Sequence, residues 1–251
     1  MRQFIELIKK EVYRFMTVWM QTIIAPATTA LLYQLIFGQQ LASLSTGIPG
    51  VGYSAFLIPG LIMMQILQNS FANGSSSLIQ SKYNGNIVFV LMAPISPLAI
   101  YGAYLIASII RGVMVGAVVF ATICWFGISF PKSIPILLFF LFFGSAIAAG
   151  LGLIAGILVE KFDQLAGFQA FIIVPLIYLA GVFFNPHNLV GIWSVLAFLN
   201  PFLYIIDGFR YAFIVHANAN IHFGMLFVLV LAIVINWFGY MLIKKGVKIK
   251  H

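Results

Sequence analysis

Charge is scarce in this 251-residue chain: Asp, Glu, Lys and Arg make up 7% of it, where a soluble domain needs roughly 25% to cover its surface. Hydrophobic residues make up 63%, so most of the surface must face something other than water, and lipid fits. Acidic residues are scarcer still. There are five, Glu6, Glu11, Glu160, Asp163 and Asp207, and none falls in the middle of a long apolar run. Proton- and sodium-coupled carriers usually keep an ionisable carboxylate inside the membrane, and no inverted repeat is apparent, so energy from outside the chain is favoured. The single cysteine, Cys124, excludes an intrachain disulfide. The phosphate-cradling G-x-x-x-x-G-K-[ST] is missing, as are H-E-x-x-H and G-x-S-x-G, which removes ATP hydrolysis by that route and two hydrolase classes. His187, His216, His222 and His251 are scattered over loops and the tail, so no metal centre is expected. The first 15 residues hold Arg2, Glu6, Lys9, Lys10, Glu11 and Arg14, leaving no apolar core for a cleaved signal peptide.

A net charge of +8 would suit nucleic acid if the bases clustered on a soluble face. Here they gather at the two chain ends beside apolar runs, and the 25 Phe are spread through those runs. A topology signal accounts for this, and no nucleic-acid partner is expected.

The pattern predicts an all-α integral membrane protein with six spans in one domain over 1–251. Residues 1–16 form an amphipathic helix: Phe4, Ile5, Leu7, Ile8, Val12, Phe15 and Met16 share an arc opposite Arg2, Glu6, Lys9, Lys10 and Arg14. Glu6 can pair with Lys9 and Lys10. Glu11 breaks the pattern by lying inside the apolar arc. Such a helix suits the membrane interface, and the same pattern also suits a solvated approach to the first span. The spans are expected at about Trp19–Phe37, Ala55–Ala72, Leu98–Phe126, Ile134–Val159, Phe168–Phe184 and Phe223–Ile243, each near or above the ~20 residues that cross a ~30 Å hydrocarbon core. A loop over 38–53 lacks Lys and Arg, and Asn73–Pro97 is of mixed character.

Positive charge orients the array. With an even number of spans, one side receives Arg2, Lys9, Lys10, Arg14, Lys82, Lys161, Lys244, Lys245, Lys248 and Lys250, and the other only Lys132 and Arg210. Both termini are therefore expected in the cytoplasm. The stretch 185–222 is apolar yet broken by Asn-Pro at 185–186 and 200–201; it reads as short helices dipping into the outer leaflet, or as a compact extracellular cap. Asp207 and Arg210, three apart, can pair as structural charges. Arg111 lies deep in the third span, where a charge costs about 2.5–3.5 kcal/mol. It either snorkels to the interface or pairs with Glu160 or Glu11. Gly144, Ala148, Gly152 and Gly156, with Gly112 and Gly116, form faces for close helix approach, within the protomer or at a dimer seam. Gln21, Thr28, Thr29, Gln34, Gln65, Gln68 and Asn69 either line a translocation path or satisfy one another inside a protomer.

Ile58-Pro-Gly-Leu-Ile-Met-Met, Lys82, Leu91–Gly102, Glu160-Lys-Phe-Asp, Gly181-Val-Phe-Phe, Asn200-Pro-Phe-Leu-Tyr and Asp207-Gly-Phe-Arg-Tyr together resemble ABC-2 type permeases. Their order and spacing are similar to the YadH-like inner-membrane permeases of Gram-negative bacteria, over nearly the whole chain. The resemblance implies a homodimer of six-span subunits on two copies of a cytoplasmic ABC ATPase, which binds the ATP and Mg, with no cofactor on this chain. It implies a bacterial inner-membrane location and export of an amphiphilic, glycan, lipid-like or drug-like substrate. A coupling helix would map to 75–97, including Lys82, Tyr83, Asn84 and Asn86. The second connection would map to 160–164, with Glu160, Lys161 and Asp163, and the dipping extracellular helices to 185–222. Tyr-Asn-Gly-Asn-Ile at 83–87 departs from the family's pattern, in which an acidic residue often precedes the apolar run. That weakens an expectation of charge pairing with the ATPase. The alternative is a self-sufficient secondary carrier or channel.

Overall fold

A computed structural model describes residues 2–41, 46, 48, 50–127, 130–215 and 220–247. They form helices and turns: α1 Arg2–Met16, α2 Met20–Gln40, α3 Tyr53–Tyr83, α4 Asn86–Met92, α5 Pro97–Phe126, α6 Ile134–Leu158, α7 Phe162–Leu179, α8 Ile192–Leu199, α9 Pro201–Ile214 and α10 Ile221–Lys245. Six of these, α2, α3, α5, α6, α7 and α10, are long and apolar enough to cross a membrane. The all-α, six-span architecture expected from the sequence is present. Lys248, Lys250, His216, His251 and much of the 38–53 loop lie outside the described residues.

The central helix is α3. In its apolar stretch 83% of residues are buried, against 28% in α2, 17% in α7 and 22% in α10. It packs most extensively on α6 and then on α5. Lipid tails are as apolar as Leu, so close packing rather than water exclusion must hold such helices together. The small-residue faces supply it, inside the protomer. A Cβ at Gly152 would sit 2.3 Å from Phe71 O, one at Gly156 2.8 Å from Ser75 O, and one at Gly74 2.7 Å from Ala149 O. On α5, Gly112 lies against Ser70 and Gly116 against Ile66.

Two span boundaries differ from the sequence reading. The second span continues to Tyr83 instead of ending near Ala72, so 75–83 is a buried helical tail rather than part of a separate coupling segment. At 1.5 Å per residue its 31 residues reach about 46 Å, and roughly 15 Å projects past a ~30 Å hydrocarbon core. Polar Asn73, Ser75, Ser77 and Ser81 are tolerated there because α1, α5 and α6 cover them. The helix ends where Gly85 takes φ +70, a left-handed conformation that favours glycine after a helix. The fifth span runs Phe162–Leu179 rather than Phe168–Phe184. Both α2 and α7 carry a wide π turn, at Met20–Ile24 and Gln169–Ile173, just before Pro26 and Pro175. The wide turn absorbs the N–H that proline lacks.

The 185–222 region holds two helices, α8 and α9, meeting at 74°. The Asn-Pro pairs explain the breaks. Asn200 Oδ1 caps α9 by accepting from Phe202 N at 3.0 Å, with Pro201 in the first turn. Asn185 Oδ1 accepts from His187 N at 3.1 Å, and its amide donates to Thr46 O. Helix α8 exposes Ile192, Trp193, Val195, Leu196 and Leu199. An apolar surface of that kind suits a helix dipped into lipid.

Candidate coupling and translocation surfaces

At the end of the bundle shared by α1, the tail of α3, the start of α5 and the last turn of α10, a second small core forms around Leu7, Leu78, Ile100, Tyr104, Ile157 and Ile243. The apolar arc of α1 closes it, lying chiefly on α5. Glu11, the residue out of pattern, points into this contact and is 1% exposed. It accepts from Arg14 Nε at 2.9 Å and from Ser77 Oγ of α3, and lies 3.6 Å from Lys10 Nζ. Arg14 Nη2 donates to Asn73 Oδ1 at 2.9 Å, its Nη1 reaches Gln80 Oε1, and Asn73 Nδ2 donates to Ser108 Oγ on α5 at 3.1 Å. A buried carboxylate is tolerable only when paired and hydrogen-bonded, and here the pairing stitches three helices together. Glu6 pairs with Lys9 at 3.0 Å, and Lys10 turns to Glu11 instead.

Glu11→Gln is expected to destabilise the docking of α1 by about 1–2 kcal/mol, moderated because Arg14 stays partly solvated. Hydrogen exchange should rise across 2–16 and stay level in the central spans. Equal exchange in both proteins would show that the carboxylate does not hold the helix.

Lys82 and Tyr83 come together with the second connection, across 75 residues of chain. Lys82 Nζ donates to Ile157 O at 2.9 Å and Val159 O at 2.7 Å, so a cation sits on the carbonyl end of α6, where the helix dipole favours it. The Tyr83 ring meets Phe162 edge-on at 5.8 Å. Gln164 Oε1 accepts from Glu160 N at 3.1 Å, and Asp163 lies in the first turn of α7. Lys161, Glu160, Asp163, Asn84 and Asn86 are exposed. A separate helix in the first connection is limited to α4, Asn86–Met92, which with the turn before it exposes Tyr83 79%, Phe89 74% and Met92 78%.

Arg111 neither snorkels outward nor pairs with Glu11 or Glu160. Its Nη2 donates to Asn69 Oδ1 of α3 at 3.3 Å, an amide one helix away offering a nearer partner than either carboxylate. Asn69 in turn donates to Gln65 O at 3.0 Å. Gln34, Gln65 and Asn69 are buried inside the protomer, Gln68 is half-buried, and Gln21, Thr28 and Thr29 lie on the exposed side of α2. The expected path set is therefore split between two environments. Tyr33 of α2 shares a 3.0 Å hydroxyl contact with Tyr178 of α7, and Phe37 and Phe183 pack around that pair.

At the opposite end Arg210 is 1% exposed. Its Nη1 lies 3.8 Å from Asp207 Oδ1, its Nε donates to Phe56 O at 3.0 Å, its Nη2 donates to Gly181 O at 2.7 Å, and its guanidinium carbon stands 3.8 Å above the Phe56 ring. It thus ties α9 to α3 and to the turn after α7. Sequence reasoning found the Asp207 spacing but missed Phe56 and Gly181. It also missed Arg14, Asn73, Ser77, Gln80 and Ser108 as a network, for which the displaced Glu11 was the one signal. Among the described residues no group of His, Cys, Asp and Glu could hold a metal ion.

Comparison with known proteins agrees with this architecture. The ABC-2 type transporter family model matches residues 2–214. The inner membrane transport permease YadH of Escherichia coli (strain K12) is 36% identical over 205 residues, covering 82% of this chain and 80% of the relative, and the permease of the same name from Shigella flexneri matches to the same extent. The chain belongs to the ABC-2 type transporter family, and is a membrane transport permease rather than an enzyme.

Proposed function

We propose that the chain is the membrane-spanning subunit of an inner-membrane ABC exporter, working as a homodimer on two copies of a separate ATPase that carries the ATP and Mg. Both termini would face the cytoplasm, which places α1, α4 and the two connections on the ATPase side. The observation that carries the reading is the body formed by Lys82, Tyr83, Ile157, Val159 and Phe162. It joins the first connection to the second and leaves Tyr83, Phe89 and Met92 exposed beyond the projecting end of α3. Apolar side chains grouped at that level suit burial by a protein partner. A push on α4 would reach α3 directly and α6 through Lys82, so one partner movement acts on the central pair of spans. ATP and substrate must favour different conformations for that movement to do work.

The polar stripe of α2 supports a second copy. Gln21, Thr28 and Thr29 face outward, and a polar group at membrane depth is costly unless protein or a wet cavity covers it. Dimerisation across α2 and α7 would enclose these groups with Tyr33 and Tyr178, giving a path with a mixed polar and aromatic lining suited to an amphiphilic or glycan cargo.

Co-purification with the ATPase encoded beside it, followed by substrate-stimulated ATP hydrolysis, tests the proposal; the absence of any complex overturns it. Ion-gradient-driven flux by the lone chain in liposomes would instead establish a self-sufficient carrier. Met92→Asp changes a residue that is 78% exposed, so the permease should fold normally. Its affinity for the ATPase is expected to fall about tenfold or more, as for a charge placed in the apolar centre of an interface.

A further inference from the structure

Two adjoining hollows lie between α1 and the α3–α4 turn, and both are lined by Lys10 and Asn86. The larger, about 540 Å³, is mostly apolar, with Leu7, Phe89, Val90, Ala93 and Ile95 in its walls. The smaller, about 210 Å³, is polar and is lined by Glu11, Arg14, Ser77, Gln80, Ser81 and Asn84 besides the two shared residues. Joined in this order they make one amphiphilic cleft. It lies beside the amphipathic helix, where a leaflet's headgroups meet its chains.

The polar half has binding capacity that the protein itself does not use. Ser81 is 7% exposed, and its Oγ completes no hydrogen bond within the described residues. Tyr104, close by on α5, leaves its hydroxyl in the same condition. Buried hydroxyls normally find partners. Arg14 has committed Nε, Nη1 and Nη2 to Glu11, Gln80 and Asn73. Lys10, by contrast, meets Glu11 only at 3.6 Å, so its ammonium has donors left for an anion at the mouth.

We propose that this cleft binds a single anionic phospholipid from the adjacent leaflet. The phosphate would be held by Lys10, the Asn86 amide and the Ser81 hydroxyl, and the first part of the acyl chains would lie along Leu7, Phe89, Val90 and Ile95. The recessed hydroxyls favour a small headgroup over a protein segment, and the cation at the rim favours an anionic one. Glu11, already neutralised by Arg14 and hydrogen-bonded by Ser77, selects against a second negative charge. Bound lipid would hold α1 against α4, so leaflet composition would tune the element on which a partner pushes. The site does not depend on the ATPase reading.

The test titrates the full-length chain in neutral detergent with short-chain phosphatidylglycerol, short-chain phosphatidylcholine or inorganic phosphate, following thermal unfolding. Phosphatidylglycerol is expected to raise the unfolding temperature saturably, as a ligand of the native state does. Its apparent dissociation constant should rise about tenfold in Lys10→Gln, for loss of one charge-assisted contact. It should rise several-fold in Ser81→Ala and stay level in Lys9→Gln, whose lysine is exposed and paired with Glu6 away from the cleft. Equal losses in the two lysine variants would mean general surface charge and overturn the site. So would equal stabilisation by phosphatidylcholine, or its reproduction by inorganic phosphate. If Lys10→Gln weakened only ATPase co-purification and left lipid binding unchanged, the cleft would be a protein dock and the proposal would fail.

Discussion

Arg210→Met should lower unfolding stability by about 3–5 kcal/mol, the usual cost of removing one partner from a buried ionic and hydrogen-bonded group. The guanidinium is enclosed by protein and engages three separate elements: Asp207 on its own helix, Phe56 O on α3, and Gly181 O after α7. Two of these are backbone carbonyls that lose their donor together, and Met cannot replace a donor. Arg210→Lys should not restore stability, since a single ammonium cannot span both carbonyls as the planar fork does. Thermal unfolding in detergent measures the loss. The α8–α9 pair should become protease-sensitive before the spans do. If Arg210→Met unfolded like the unaltered protein, the charge would be a passenger rather than the tie holding the bent helices to the bundle.

Gly152→Val is expected to be at least as severe, costing about 3 kcal/mol or more and leaving little folded protein after extraction. The contact it disturbs is backbone against backbone. The built Cβ would lie 2.3 Å from Phe71 O, so no rotamer change relieves it and α3 and α6 must separate. These two helices form the most extensive contact in the bundle, and in lipid there is no hydrophobic reserve to offset a lost van der Waals seam. Gly102→Ala is the control. Its Cβ would meet Phe4 Cε2 at 3.6 Å, an ordinary contact, and with the better helix propensity of alanine it should be neutral or stabilising by up to about 1 kcal/mol. If the two variants had equal yield and melting temperature, the small-residue face would not be a packing device.

The two sites differ in how far the chain announced them. For Arg210 the i,i+3 carboxylate was visible, because pairs on one helix turn follow from local geometry. The carbonyls of Phe56 and Gly181 were not, because any backbone oxygen can accept and sequence marks none of them. Gly152 stood in a four-residue repeat that signalled close approach, though not which helix would approach. Lys82 is a similar case: a lone cation near a span end is a topology mark, and only folding brings it onto the carbonyls of α6.

Composition and periodicity determined that this chain lies in lipid, that six segments cross, that α1 is amphipathic, and that no motor or intramembrane carboxylate is present in the sequence. These follow from solvent transfer and helix periodicity, which act residue by residue. Tertiary structure alone decided that α3 runs on to Tyr83, that Glu11 is buried against Ser77 and Arg14, that Arg111 turns to Asn69, and that the expected path residues divide between interior and outer face. Those outcomes depend on which polar group reaches which partner first. Partners 42 to 154 residues apart meet only once the helices have packed.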